Sequence, residues 1–386
     1  MSNWQLNQFY ETKKSPLRML GYLAAPAAYW PTGSILLAIV AAIASVWCID
    51  RYLRSRIHYR IRLYDTAGIT ELPQRFERGH GSIVNALAFS PAGDTLASCG
   101  IDGTVRLWDP ATGRAGRVWN FNDGDAYGIN FSPDGKRLLS HGGQEILVHD
   151  LATGEAVLKI AMPEKQACTR ALFSPDGARI VVVATLDRAT YYGTHALRYW
   201  DIASGRFEEV VSGFGLHALA PDGSVLLVAS EEDERSELVL WDCSGRGRIG
   251  GFRMPAGFEK EKPGANSFSA RQINLSRQGR TAHVARATGE HWFIDTASGE
   301  TRGRFDLAEA GFPVTARFSD DESALYLNRG TGYQDHYVLG YALSDGALKG
   351  RVDSVKSSWG VPFAVSPDGK LLAVAGEDQR LEKKQE

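Results

Sequence analysis

A four-residue turn signal recurs seven times along this chain, and its period leaves few folds open. It reads Ser90-Pro91-Ala92-Gly93, Ser132-Pro133-Asp134-Gly135, Ser174-Pro175-Asp176-Gly177, Ala220-Pro221-Asp222-Gly223, Ser276-Arg277-Gln278-Gly279, Ser319-Asp320-Asp321-Glu322 and Ser366-Pro367-Asp368-Gly369, at intervals of 42 to 56 residues. Pro presets φ at the first central position, Asp bonds its own backbone and Gly accepts positive φ, so each copy is a tight reversal. A second mark follows most copies: Trp108-Asp109, His149-Asp150, Trp200-Asp201, Trp241-Asp242 and Ile294-Asp295. Short alternating runs such as Val105-Arg106-Leu107-Trp108 lie between the marks and read as strands. Self-similarity at such a period is the mark of a repeat architecture, here with seven units.

The best-formed unit runs from Gly79-His80 to Trp108-Asp109, with Cys99-Gly100-Ile101-Asp102-Gly103 inside it. It resembles the WD-repeat (tryptophan-aspartate) family, and the likeness spreads more weakly over roughly residues 57 to 378. The resemblance implies an all-β, seven-bladed β-propeller. It also implies a buried hydrogen-bonded tetrad of His80, Ser98, Asp102 and Trp108 in this blade. The other units lack the Gly-His pair and often the Trp, as at His149, Ile294 and Tyr341, so this divergent member is expected to hold them by packing alone.

After the seventh turn only one apolar run remains, Leu371 to Ala375, before the polar tail 379–386. The missing strands are expected at the other end. Arg60 to Gly68 parallels Thr104 to Gly113, and Leu72 to Phe76 would be the fourth strand. The expectation is a ring, 60–378, closed two-plus-two, because pairing both ends removes open sheet edges.

Residues Gly33 to Ile49 carry no charge. A helix over 31–52 is long enough to span a bilayer, with Trp30 at one border and Trp47 and Tyr52 at the other as an aromatic belt. The alternatives are a cleaved signal peptide or a buried helix of the soluble domain. The stretch 19–29 is apolar but short and interrupted by Pro26, which reads as an interfacial helix within a tail 1–30, or as one continuous element or a hairpin with the span. A basic linker, 53–59, follows. Lys13, Lys14 and Arg18 precede the span and Arg51, Arg54, Arg56, Arg60 and Arg62 follow it, a bias that places the propeller in the cytoplasm as a single-pass membrane protein. Residues 1–78 hold 10 Lys and Arg against 5 Asp and Glu, and the remainder 33 against 40. Those five arginines either contact anionic headgroups or only set topology. Ser34, Ala38 and Ala42 give the span a small-residue face that suits a homodimer, although alanine-rich spans show such spacing by chance.

Function is expected on one face. Insertions fall between second and third strands (186–195, 231–236, 329–336) and between blades (254–268, 353–360), connections that open on the same side of a propeller. They carry Tyr191, Tyr192, Phe258, Phe268, Tyr333 and Trp359 beside charges, a composition suited to a protein partner, membrane-embedded or not, or to loop-pinning. The acidic propeller shows no basic stripe for nucleic acid. No G-x-S-x-G elbow, P-loop or metal-ligand spacing occurs, so no cofactor or metal is expected; His283 and His291 read as residues flanking strand turns. The expected function is a membrane-tethered interaction scaffold, not an enzyme, with a propeller enzyme or small-ligand binder at the channel mouth as the alternative.

Overall fold

The run Arg179–Thr185, Arg-Ile-Val-Val-Val-Ala-Thr, is apolar at consecutive rather than alternate positions. Such a strand needs cover on both faces. It has it: Ile180, Val182 and Ala184 enter one hydrophobic cluster while Val181 and Val183 enter another. The computed structural model describes residues 59–377 except 74–75, 77–78, 122–123, 165, 187–194, 215–216, 230–236, 244–246, 254–269, 287–288, 307–311, 331–334 and 357–360. The chain divides into units 1–56 and 57–386.

The described residues form seven four-stranded antiparallel sheets, an all-β, seven-bladed β-propeller. Six blades take consecutive strands, over 84–120, 128–161, 167–214, 217–253, 270–306 and 312–356. They are numbered one to six here. Blade seven is discontinuous in sequence. Its order is Thr70–Glu71, Tyr59–Asp65, Leu371–Glu377, Phe363–Val365, with Tyr59 opposite Glu377 and Asp65 opposite Leu371.

Thr70–Glu71 is the fourth strand of that blade, in place of the expected Leu72 to Phe76. Pro73 has no N–H to give a ladder, which ends pairing there. Leu72 and Phe76 instead fold into the core beside Trp108, the Phe76 and Trp108 rings meeting edge-on at 5.7 Å.

The core is divided. Seven hydrophobic clusters of described residues lie one between each adjacent pair of blades, each drawing on the facing sheets. Outermost strands such as Ala115–Asn120 and Thr301–Asp306 are largely exposed, as expected at the rim of a disc.

Turn chemistry is uniform. In six of the seven reversals a Ser begins the turn, and its Oγ takes the N–H five residues on, as from Arg137 to Ser132 and from Leu371 to Ser366, both at 2.9 Å. Glu322 stands where the other copies have Gly and holds φ at 56°. Asp109, Asp150, Asp201 and Asp295 cap the turns after the third strands through backbone N–H groups, as in Ala111 N–H to Asp109 at 2.8 Å.

Candidate functional site

Two polar centres emerge from this frame: the tetrad in blade one, and the channel that the seven innermost strands enclose. Ser98 Oγ accepts from Trp108 Nε1 at 2.8 Å and lies 2.7 Å from His80 Nε2, and His80 Nδ1 lies 2.9 Å from Asp102. Asp102 also takes the Gly81 and Thr104 N–H groups and the Thr104 hydroxyl. Burial pushes the Asp102 carboxyl up, but the His80 hydrogen bond and charge, with those donors, hold it far below the usual carboxylate range. Trp108, Ser98 and His80 are fully buried. Gly79 precedes His80 because a Cβ there would sit 2.0 Å from the Tyr59 carbonyl oxygen. The set braces the seam with blade seven, where Tyr59 N–H bonds the His80 carbonyl.

The other blades do not hold by packing alone. Asn85 donates to Ala126 O in the connection to the next blade, Asn130 Oδ1 accepts from Phe173 N, and Asn328 donates to Val361 O. Gln272, with its amide turned, accepts from Thr315 and Ala316 N–H. Side-chain amides thus stitch neighbouring blades. His283 and His291 lie within strands rather than beside turns. Arg329 Nη2 donates to His291 Nε2 at 3.2 Å, and His291 Nδ1 meets His283 Nε2 at 2.8 Å, all three wholly buried. Burial first, then nearby positive charge, drives both histidines below their ordinary range, His291 to about 3.

The channel has a volume of about 790 Å³ and is walled by small and neutral side chains such as Ala86, Ala88, Gly128, Thr169, Ala218, Asn274 and Ala364. Three arginines interrupt that wall, Arg277 at the turn end and two more along the strands. Arg170 enters from blade three and Arg317 from blade six. Burial, then the charge of Arg317, lowers Arg170 to about 10, and burial lowers Arg317, so both remain cationic at neutral pH. His141 lines the same space and is lowered to about 4, chiefly by burial. At the turn end, Asp320 is paired with Arg277, and Asp222 accepts from Ser224.

The six expected partner-binding aromatics, Tyr191, Tyr192, Phe258, Phe268, Tyr333 and Trp359, lie outside the described residues, as do Arg51, Arg54 and Arg56. Arg60 and Arg62 are half-buried in Tyr59–Asp65, alternating with the core residues Ile61 and Leu63. The apolar span 33–49 is also outside; among the described residues no helix is long and apolar enough to cross a membrane. Sequence patterns did not single out Arg170, Arg317, Asn130 or Gln272. The available signal was polarity at innermost-strand positions where some other blades carry Ala or Gly, as Ala86 and Gly128 do for Arg170 and Ala88, Ala218 and Ala364 do for Arg317.

Residues 71–109 match WD40, the WD domain, G-beta repeat. The chain is similar to the WD repeat-containing protein 89 homolog of Dictyostelium discoideum, 28% identical over 131 residues, which is 34% of this chain and 35% of that protein. It is also similar to Striatin-4 of Mus musculus, 31% identical over 137 residues (32% of this chain, 18% of that one). With the WD repeat, SAM and U-box domain-containing protein 1 of Gallus gallus it is 46% identical over 54 residues, 14% of this chain and 11% of that one. These matches span about a third or less of each relative's length. Among solved structures, the β-propeller domain of Myceliophteria thermophila Cps50 (Swd1) shares the fold at a TM-score of 0.54 and 15% identity, covering 75% of this chain and 96% of that one.

Proposed function

Taking the chain as a β-propeller that carries a WD40 repeat, we propose that it is a membrane-tethered protein-interaction scaffold. WD-repeat propellers typically serve as protein-interaction scaffolds. In this reading the helix 31–52 anchors the chain as a single-pass membrane protein and the basic linker 53–59 meets the headgroups. The propeller, 60–378, stands in the cytoplasm, clasped two-plus-two by its terminal strands. Its work is binding rather than catalysis, and the helix offers a face for a homodimer.

One observation carries the choice of face. The strand bounds leave long connections at one end of the sheets, Thr185 to His195, Ala229 to Glu237, Arg253 to Ala270 and Lys356 to Phe363, while the opposite end has only short reversals of four to six residues. Binding residues concentrate on such connections because insertions there leave the strands intact. Tyr191, Tyr192, Phe258, Phe268, Tyr333 and Trp359 would then be the anchors for a partner. Crosslinking and affinity purification from membranes test this: wild type should recover a protein that the Tyr191, Tyr192, Phe258 and Trp359 to Ala variant loses. Recovery of the same set by both removes this face from consideration. Protease protection on intact cells checks the compartment, with the propeller expected to be shielded.

A further inference from the structure

We propose that the channel is a binding site for a small doubly charged oxyanion of the phosphate class, held between Arg170 and Arg317. The two residues lie on innermost strands three blades apart in a ring of seven, so they approach the channel from nearly opposite sides. Arg170 pairs in register with Val183 and Arg317 with Tyr326, each four and two residues before its turn at Ser174 and Ser319. They therefore stand at adjacent levels of the shaft.

What sets them apart is the absence of a structural task. Asn85, Asn130, Gln272 and Asn274 each spend a side-chain polar group on another residue of the protein, and the Thr169 hydroxyl bonds the Val183 carbonyl. No described side chain bonds or ion-pairs with either arginine. The carboxylates of the lining are Asp222 and Asp320 at the turn end, one accepting from Ser224 and the other held by Arg277. Two half-buried like charges thus share the channel with no ion-pair partner among the described residues, an arrangement that a bound anion would relieve.

The chemistry of that something follows from the donors. Guanidinium groups bind phosphate oxygens in bidentate fashion and bear more than one oxyanion edge well. A tetrahedral dianion presents oxygens to both sides of a channel at once, which a halide cannot do. Further donors stand near. The Asn130 oxygen is already used, leaving its NH2 group uncommitted, and the His141 ring lines the same space. The His141 ring reaches this position because residue 128 is Gly: a Cβ there would meet Nε2 at 2.2 Å. Burial lowers His141 to about 4, so at neutral pH its ring adds no positive charge to the channel.

Thermal unfolding of the full chain in detergent, with inorganic phosphate as the probe, decides the matter. Phosphate at about a hundredfold excess over its Kd should raise Tm by about 3 °C. Potassium chloride at matched ionic strength, and succinate at matched charge, should not. Arg170→Gln with Arg317→Gln should abolish the phosphate shift while leaving the ligand-free Tm equal or higher, because like-charge repulsion is relieved. Calorimetric titration of the wild type gives a second reading free of any folding defect in the variant. Equal stabilisation by chloride or succinate, an unchanged shift in the double variant, or no heat of phosphate binding to the wild type each overturns the proposal. None of these readouts involves the loop face, so this site and the scaffold reading fail independently.

Discussion

At the scale of residues, the tetrad works because every donor in the chain has an acceptor. The Trp108 N–H goes to Ser98 Oγ, which meets His80 Nε2, and the far nitrogen of His80 meets Asp102. Ser98→Ala removes the middle link and leaves two buried polar groups unmatched, so unfolding free energy should drop by about 2–4 kcal/mol in denaturant titration. A double-mutant cycle with Trp108→Phe should show strong coupling. The buried histidines make a different prediction. His141, His283 and His291 have folded values below the ordinary 6.5, so the unfolded state binds more protons once pH falls under that value. Their contribution is complete above about pH 6.5 and declines as pH falls toward the folded values, about 4 for His141 and 3 for His291. At pH 5 the loss reaches up to about 2 kcal/mol for each. Melting curves from pH 7.5 to 5 should show Tm falling, and His291→Gln should flatten that slope.

At the scale of elements, a strand is defined here by its two neighbours. Arg179–Thr185 alternates between clusters on opposite faces, which is why its sequence is apolar throughout. Turns differ in what surrounds them. Gly369 has φ 70° with open space where a Cβ would go, whereas Gly223 has φ 74° with the Phe173 carbonyl oxygen 2.5 Å from that point. Gly369→Ala should therefore cost only backbone strain, about 1 kcal/mol. Gly223→Ala adds a clash with the neighbouring blade and should cost at least about 2 kcal/mol more, read as the difference between two chemical denaturation midpoints. Element ends were the least legible feature in the sequence: Leu72 and Phe76 read as a strand by hydrophobicity, yet Pro73 stops the ladder and both side chains go into the seam core.

At the scale of the molecule, stability is spread over seven inter-blade layers rather than one core. Leu371–Glu377 pairs on one side with Tyr59–Asp65 and on the other with Phe363–Val365, so blade seven joins chain ends in one sheet. Deleting 371–378 should remove that join and unfold the propeller in a single cooperative loss, measured as the disappearance of the native thermal transition. A truncated chain that keeps its wild-type Tm would show that the other six blades close without it.

The chain's local chemistry settled the number of blades and the places of the reversals, because Ser-Pro-Asp-Gly turns and Trp-Asp strand ends are specified by residues a few positions apart; the members of the tetrad came from the resemblance to the WD-repeat family. Even the role of Ser in those turns is local, an Oγ reaching five residues on. The inter-blade amide bonds and the Arg170 and Arg317 pair were not legible in this way. Each depends on which residue of one innermost strand faces which residue of another, and that relation exists only once the sheets stand side by side around a common axis. Position then decides the rest: the same arginine that would be an ordinary solvated cation on an outer strand becomes, inside the channel, a half-buried charge with no ion-pair partner among the described residues.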